Sequence, residues 1–130
     1  MLLPLTTPPP NGKNDVPLFH ITYQLYKLFH QYIKLFPKTE KYTLGERIEN
    51  LILDLLEIIQ KASYSPKTNR VIYLEDIDSK IQLLKILIRL THEVRAIDDK
   101  KYLLLQTRLQ EMGKMIGGWL NAFRKTNAPI

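Results

Sequence analysis

The sequence contains no cysteine. This absence excludes a disulfide framework, a thiolate metal site and a cysteine nucleophile, and it is typical of proteins from reducing compartments. Long apolar runs are missing as well, because charged residues interrupt every apolar segment within a few helical turns. We therefore expect a soluble, cytoplasmic protein with no membrane-spanning segment.

Sequence motifs of enzymes are also lacking. There is no glycine-rich phosphate loop after a strand and no nucleophile elbow, and His20, His30 and His92 lack metal-ligand spacing with carboxylates. The carboxylates between Glu46 and Glu57 are not accompanied by the Glu-x-x-His pair of a metal site in a helical bundle. We interpret them as a solvated face and expect no enzymatic activity, no bound metal and no cofactor.

The beginning of the chain differs in composition from the rest. Four prolines precede Asn11, the apolar run is too short for a signal peptide, and no positive charge precedes it. We predict a disordered arm over residues 1–16, one folded domain over 17–126 and a flexible tail over 127–130. A chain of 130 residues is long enough for a single domain with its own core.

Apolar residues recur at intervals of three and four in four segments, which is the period of one helix face. The predicted helices span residues 18–36, 43–62, 73–95 and 98–125. Thr43 and Glu46 have the spacing of a capping box, and Asp98 or Asp99 is placed to cap the last helix. Four amphipathic helices with short connections predict an antiparallel up-down four-helix bundle.

The third predicted helix carries more apolar residues than one core face needs. Its predicted core face is Leu74, Ile77, Ile81, Leu84 and Ile88. A second row beside that face is Leu83, Leu87, Leu90 and Val94. The second row indicates either a deeply buried helix or packing against a neighbouring subunit. On the first helix, whose predicted core face includes Leu28, Tyr32 and Leu35, the apolar face is widened by Phe19, Tyr23, Tyr26 and Ile33.

Three glycines interrupt the apolar pattern of the fourth predicted helix. Gly113, Gly117 and Gly118 each cost such a helix about 1 kcal/mol relative to alanine. They indicate either a frayed helix end or a groove that another chain can approach closely. Because the apolar pattern continues to Trp119, we favour the groove. The predicted oligomer interface comprises Leu83, Leu87, Leu90, Gly113, Gly117 and Trp119.

The chain is basic, with 19 lysines and arginines against 13 acidic residues and a formal net charge of +6. Such a balance favours polyanionic partners, although rows of charge are also typical of a solvated face. On the third helix, three basic residues recur at i, i+4 and i+7, and others lie beside Gly113 and at the end of the fourth helix. The candidate nucleic-acid contacts are Lys85, Arg89, His92, Lys114, Arg124 and Lys125.

Two segments, "FPKTEKYTLGERIENLILDLLEII" and "GKMIGGWL", resemble the accessory variability determinant (Avd) proteins of diversity-generating retroelements. The resemblance implies a homopentameric barrel of four-helix bundles that has no activity of its own and binds a reverse transcriptase and nucleic acid. In such systems the enzyme copies a template-repeat RNA with errors at adenines, and the cDNA replaces a variable region in mutagenic retrohoming. Proteins encoded in intervening sequences of ribosomal RNA genes share the fold, so an oligomeric adaptor with no retroelement role is the alternative.

Basic residues recur in the Avd family four apart on the third helix and beside the glycines of the fourth. Lys85, Arg89 and Lys114 occupy those places in this chain. Where the family often has arginine, Lys85 and Lys114 are lysine, which keeps the charge but loses the bidentate fork. A reverse transcriptase gene and paired repeats beside this gene would favour the retroelement role over the adaptor.

Overall fold

The computed structural model describes residues 16–126, which form four long helices and no strand. The helices are α1 (Val16–Ile33), α2 (Glu46–Tyr64), α3 (Lys67–Glu93) and α4 (Asp99–Thr126). A helical turn, Lys38–Glu40, and a π-helical segment, Lys41–Gly45, lead into α2. The predicted arm and tail lie outside the described residues, apart from Val16 at the start of α1.

The four helices form a closed ring, because α1 and α3 each pack against both α2 and α4. Contacts between α3 and α4 show that these two helices are antiparallel. Lys85 of α3 lies over Gly113 of α4, whereas Glu75, ten residues earlier on α3, is paired with Arg124, further along α4. The predicted four-helix bundle is therefore confirmed.

The core of the bundle is formed by one face of each helix. The largest fully buried side chains are Phe29, Ile48, Ile52, Leu55, Ile59, Leu74, Ile77, Ile81, Leu84, Ile88, Leu105 and Leu109. The predicted core face of α3 is buried completely. Two buried threonines, Thr22 and Thr91, bond through their hydroxyls to the carbonyls of Leu18 and Ile88, so their polar atoms are satisfied within the helix.

The predicted core face of α1 is wrong in its second half. Phe29 and Ile33 are buried instead of Leu28 and Tyr32, and Leu35 is 69% exposed. The helix ends at Ile33, and the turn that follows directs Phe36 into the core, where its ring packs edge-on against Phe29 at 5.6 Å. Ile33 consequently belongs to the core and does not widen an outward face.

The predicted capping box at the start of the second helix is also wrong. Helical structure begins at Lys38, immediately after Pro37, and continues through Thr43. No glycine or proline between Lys38 and Thr43 interrupts it. The Thr43 hydroxyl bonds back to the carbonyl of Thr39 at 2.9 Å, as threonines inside helices commonly do.

Helix α3 begins at Lys67, six residues before the predicted start, because Pro66 acts as its N-cap and not as part of a longer loop. The fourth helix begins as predicted. The Asp98 carboxylate accepts the Lys101 backbone N–H at 2.9 Å, and this bond, with help from the lysine charges nearby, lowers the pKa of Asp98. Within residues 16–126, no helix combines the length and apolar character needed to cross a membrane.

Candidate nucleic-acid interface

Lys85 lies in the groove between α3 and α4. A Cβ atom at Gly113 would lie 3.4 Å from Lys85 Nζ, so the absence of a side chain at Gly113 leaves room for the lysine to cross onto α4. The Gln106 amide, about two turns before Gly113 on α4, donates to the Lys85 carbonyl at 3.2 Å and also joins the two helices. The structure thus brings together two residues that the sequence placed in different sites, a phosphate contact and an oligomer interface.

Arg89 and His92, the two other basic residues predicted with Lys85 on this helix, have different surroundings. Arg89, one turn after Lys85, is exposed. His92 bonds through Nε2 to Asp99 Oδ1 at 2.6 Å, and its ring stacks on Tyr102 with the centroids 4.2 Å apart. His92 is therefore used to join α3 to the start of α4, whereas the Arg89 side chain is accessible to a ligand.

On α4 the candidate cations are all exposed, but they differ in their partners. Arg124 Nη2 contacts Glu75 Oε2 at 3.1 Å, across the groove. Both side chains of this ion pair are more than half exposed, so the pair contributes at most about 1 kcal/mol and a phosphate could compete for the arginine. For Lys114 and Lys125, no ion pair is found within residues 16–126.

Charge is distributed unevenly along the α3 side of the groove. Asp78 precedes Lys85 by seven residues, about two helical turns, so it lies on the same edge of α3, and Glu75 lies one turn before Asp78. Lys85 and Arg89 form the C-terminal half of that edge. The two cations on this edge of α3 therefore lie in the half of the groove nearer the α3–α4 turn, whereas Arg124, at the opposite end, is paired with Glu75.

The second apolar row of α3 lies at the margin of the core, against which Leu83 and Leu87 pack. Leu83 and Leu87 are half-buried, and Leu90 and Val94 are 38% and 46% exposed. Ile86, 48% exposed, extends this surface. The row is on the opposite side of α3 from Lys85 and Arg89, so a partner could cover it without blocking the basic residues.

The glycines of α4 do not form one close-packed groove within the subunit. The helix continues through them to Thr126, which removes the frayed-end interpretation. Nothing lies within 4 Å of a Cβ placed at Gly117 or Gly118, so these two positions are open to solvent. Trp119, two residues after Gly117, points to another side of the helix and packs against the core.

The basic residues of the α3–α4 groove are suited to binding an anionic ligand. Residues 16–126 contain no group of three or more histidine, aspartate or glutamate side chains placed to hold a metal ion. What the α3–α4 groove does present is ammonium and guanidinium groups, which form charge-assisted hydrogen bonds with phosphate oxygens.

A protein-family profile described as bAvd-like matches residues 19–123, most of the chain. The chain belongs to the bAvd-like family. A search of curated proteins found no match. The bAvd-like match extends from the first turn of α1 to the last turns of α4, so it includes Lys85, Arg89, His92 and Lys114, and it ends just before Arg124.

A second basic surface of this bAvd-like protein lies along α1, and no sequence motif marks it. Tyr23, Lys27 and His30 of α1, and Lys34 in the turn that follows the helix, lie outside the core and share one side of the chain. The sequence feature that could have identified this surface is the lack of acidic residues between Val16 and Thr39.

Proposed function

We propose that this protein is the non-enzymatic accessory factor of a diversity-generating retroelement. In this role it binds the retroelement reverse transcriptase together with the template-repeat RNA and its cDNA, and thereby supports mutagenic retrohoming. Membership of the bAvd-like family supports the retroelement assignment. We further propose that the active form is a homopentamer in which Lys85 and Arg89 of each α3–α4 groove are accessible to nucleic acid.

The observation that carries the RNA-binding part of this proposal is the crossing of Lys85 onto α4 at Gly113. This contact places the Lys85 ammonium beside Gly113, the residue before Lys114, and Arg89 lies one turn further along α3. Cations held in this way neutralise phosphates and release counterions, so affinity should fall steeply with salt and depend little on sequence. A subunit charge of +6, repeated in an oligomer, strengthens the same attraction.

A double charge reversal tests the groove. We expect Lys85→Glu with Arg89→Glu to abolish binding of a labelled template-repeat RNA at moderate salt while leaving a folded oligomer. The matched control is Arg47→Glu with Lys61→Glu, which makes the same change in net charge at exposed positions of α2. Affinity is measured by fluorescence anisotropy across a salt series, and folding by circular dichroism.

The α2 control variant distinguishes the effect of contacts in the groove on RNA affinity from the effect of overall net charge. If the α2 variant loses as much affinity as the α3 variant, net charge alone accounts for binding, and the groove is not the site. Retained binding by the α3 variant would remove Lys85 and Arg89 from the interface. A search of the neighbouring genes for a reverse transcriptase, followed by co-purification with it, tests the retroelement role, and failure to co-purify would favour a different partner.

A further inference from the structure

We propose that the outward face of α1 binds unpaired bases of single-stranded nucleic acid, with tyrosine and histidine rings stacking on the bases and lysines contacting the phosphates. This inference rests on the proposed function, since it divides nucleic-acid binding between two surfaces. The α3–α4 groove contacts phosphates, whereas the α1 face also recognises exposed bases. We call this surface the α1 face; it comprises Tyr23, Lys27 and His30 of α1 and Lys34 in the turn that follows the helix.

Charge is the first observation in favour of this surface. The 24 residues from Val16 to Thr39 contain Lys27, Lys34 and Lys38 but no aspartate or glutamate. It is the longest stretch of the sequence without an acidic residue. Neither Lys27 nor Lys34 forms an ion pair with any residue in the described range. Their charges are therefore available to an anionic partner.

Tyr23, Lys27 and His30 lie on one side of α1, and Lys34 continues their spacing into the turn after Ile33. Tyr23, Lys27, His30 and Lys34 follow one another at intervals of four, three and four, and each is at least partly exposed. The buried face of α1 lies on the other side. Aromatic rings therefore alternate with lysines along the α1 face, which is the pattern that stacks bases while the lysines follow the phosphate backbone.

The rings of this face are held in place by their neighbours. Tyr23 is 40% exposed and packs against Phe19, with the ring centroids 6.4 Å apart. The His30 ring stacks on Tyr26 at 5.8 Å, and its Nδ1 bonds to Glu49 Oε2 at 2.9 Å. Rings that are already ordered lose less conformational entropy when a base stacks on them.

The surrounding charges favour a nucleic acid over an acidic protein surface. Glu49 of α2 is the acidic side chain in contact with the face, and it is already engaged by His30. A polyanion with flat apolar rings satisfies both the lysines and the exposed tyrosine, whereas an acidic protein segment would satisfy the lysines alone. Duplex RNA would leave the rings unused, because its bases are stacked in pairs and turned inward.

The experiment compares two substitutions at one position. Tyr23→Leu keeps an apolar side chain and removes the ring, whereas Tyr23→Phe keeps the ring. We expect Tyr23→Leu to weaken binding of a fluorescein-labelled oligouridine by about tenfold, and Tyr23→Phe to bind as the unchanged protein does. Affinity for an RNA duplex should stay the same in both variants, because duplex binding depends on phosphate contacts.

Photo-crosslinking locates the site in the unchanged protein and does not depend on the folding of a variant. An oligonucleotide containing 4-thiouridine is irradiated with the protein, and the labelled peptide is identified by mass spectrometry. We expect crosslinks between residues 19 and 34, at or next to Tyr23. Crosslinks confined to α3 and α4 would overturn the proposal.

The other outcomes separate the two proposals. If neither oligouridine nor duplex binds to the unchanged protein, both this inference and the proposed RNA-binding function fail. If both RNAs bind but Tyr23→Leu has no effect, the α1 face is not a base-stacking site and the α3–α4 groove stands alone. If Tyr23→Leu instead lowers the oligomer mass in light scattering, the face is a subunit contact and the inference is overturned.

Discussion

Arg95, two residues after the end of α3, has a backbone conformation that residues with side chains rarely adopt. Its φ angle is 65°, and within the described part of the chain it is the single non-glycine residue with positive φ. The Arg95 N–H donates to the His92 carbonyl at 3.0 Å and the Ala96 N–H donates to the Thr91 carbonyl at 2.8 Å. These two bonds form a Schellman motif, in which glycine usually occupies the position of Arg95.

Arg95→Gly should therefore stabilise the protein. Left-handed geometry costs a residue with a Cβ about 1–2 kcal/mol, and glycine gives back about 0.5–1 kcal/mol through the greater freedom of the unfolded chain. We expect a net gain of about 0.5–1 kcal/mol in the free energy of unfolding, measured by urea denaturation at fixed protein concentration.

Arg95→Ala is the control for this prediction, because it removes the charged side chain but keeps the Cβ. It should leave the free energy of unfolding nearly unchanged. A gain from alanine equal to the gain from glycine would mean that the charge of Arg95, and not its backbone, is unfavourable.

Among the helical elements, the π-helical segment before α2 depends on a single glycine. Gly45 is buried, and a Cβ at this position would lie 2.8 Å from both Cδ1 and Cγ1 of Ile33. That distance is too short for unperturbed packing, and Ile33 is itself 7% exposed and held in the core. The close approach between the end of α1 and the segment leading into α2 thus requires glycine.

Gly45→Ala should destabilise the protein by about 1–3 kcal/mol, the usual cost of overpacking a core. Gly118→Ala is the matched control, since nothing lies within 4 Å of its added methyl group and alanine favours the helix by up to about 1 kcal/mol. Thermal unfolding of both variants measures the difference. Adding Ile33→Val to Gly45→Ala should recover part of the loss by removing one clashing methyl group, and no recovery would contradict the assigned cause.

Helix features that are set by local sequence could be predicted, whereas features that are set by contacts between distant segments could not. The core face of α3 and the cap at Asp98 follow from spacing and side-chain chemistry within a few residues, and both were predicted correctly. The missed start of the helix at Lys38 also has a local cause, since the Thr43 hydroxyl bonds back to Thr39 inside the helix and does not cap it. The burial of Ile33, in contrast, depends on contact between the end of α1 and the segment at Gly45. Periodicity contains no information about such contacts.

At the scale of the whole molecule, the sequence predicted which residues of the candidate site share a helix face but not which residues meet across two helices. Helical spacing was enough to group Lys85 with Arg89 on one edge of α3. It could not show that Lys85 reaches Gly113, or that Arg124 is paired with Glu75 at a distance of 49 residues along the chain. These facts depend on the register between α3 and α4, which only the packed bundle determines.

Assembly is the property of the whole molecule that the apolar row of α3 should control. We expect Leu90→Glu to reduce the oligomer to single protomers of 15.3 kDa, because it would place an unpaired charge in the proposed subunit contact. Leu90 is 38% exposed, so the bundle itself should still fold. Light scattering measures the mass, and circular dichroism measures the retained helix content.

Ile72→Glu provides a matched control on the same side of the same helix. Ile72 precedes Leu90 by 18 residues, which is five helical turns, and it is 65% exposed outside the row formed by Leu83, Leu87 and Leu90. Its substitution should leave the mass unchanged. An intact oligomer in the Leu90 variant would remove this row from the interface, whereas dissociation of both variants would extend the interface along the whole of α3. Because each protomer contributes a charge of +6, dissociation should also weaken RNA binding and reduce its dependence on salt.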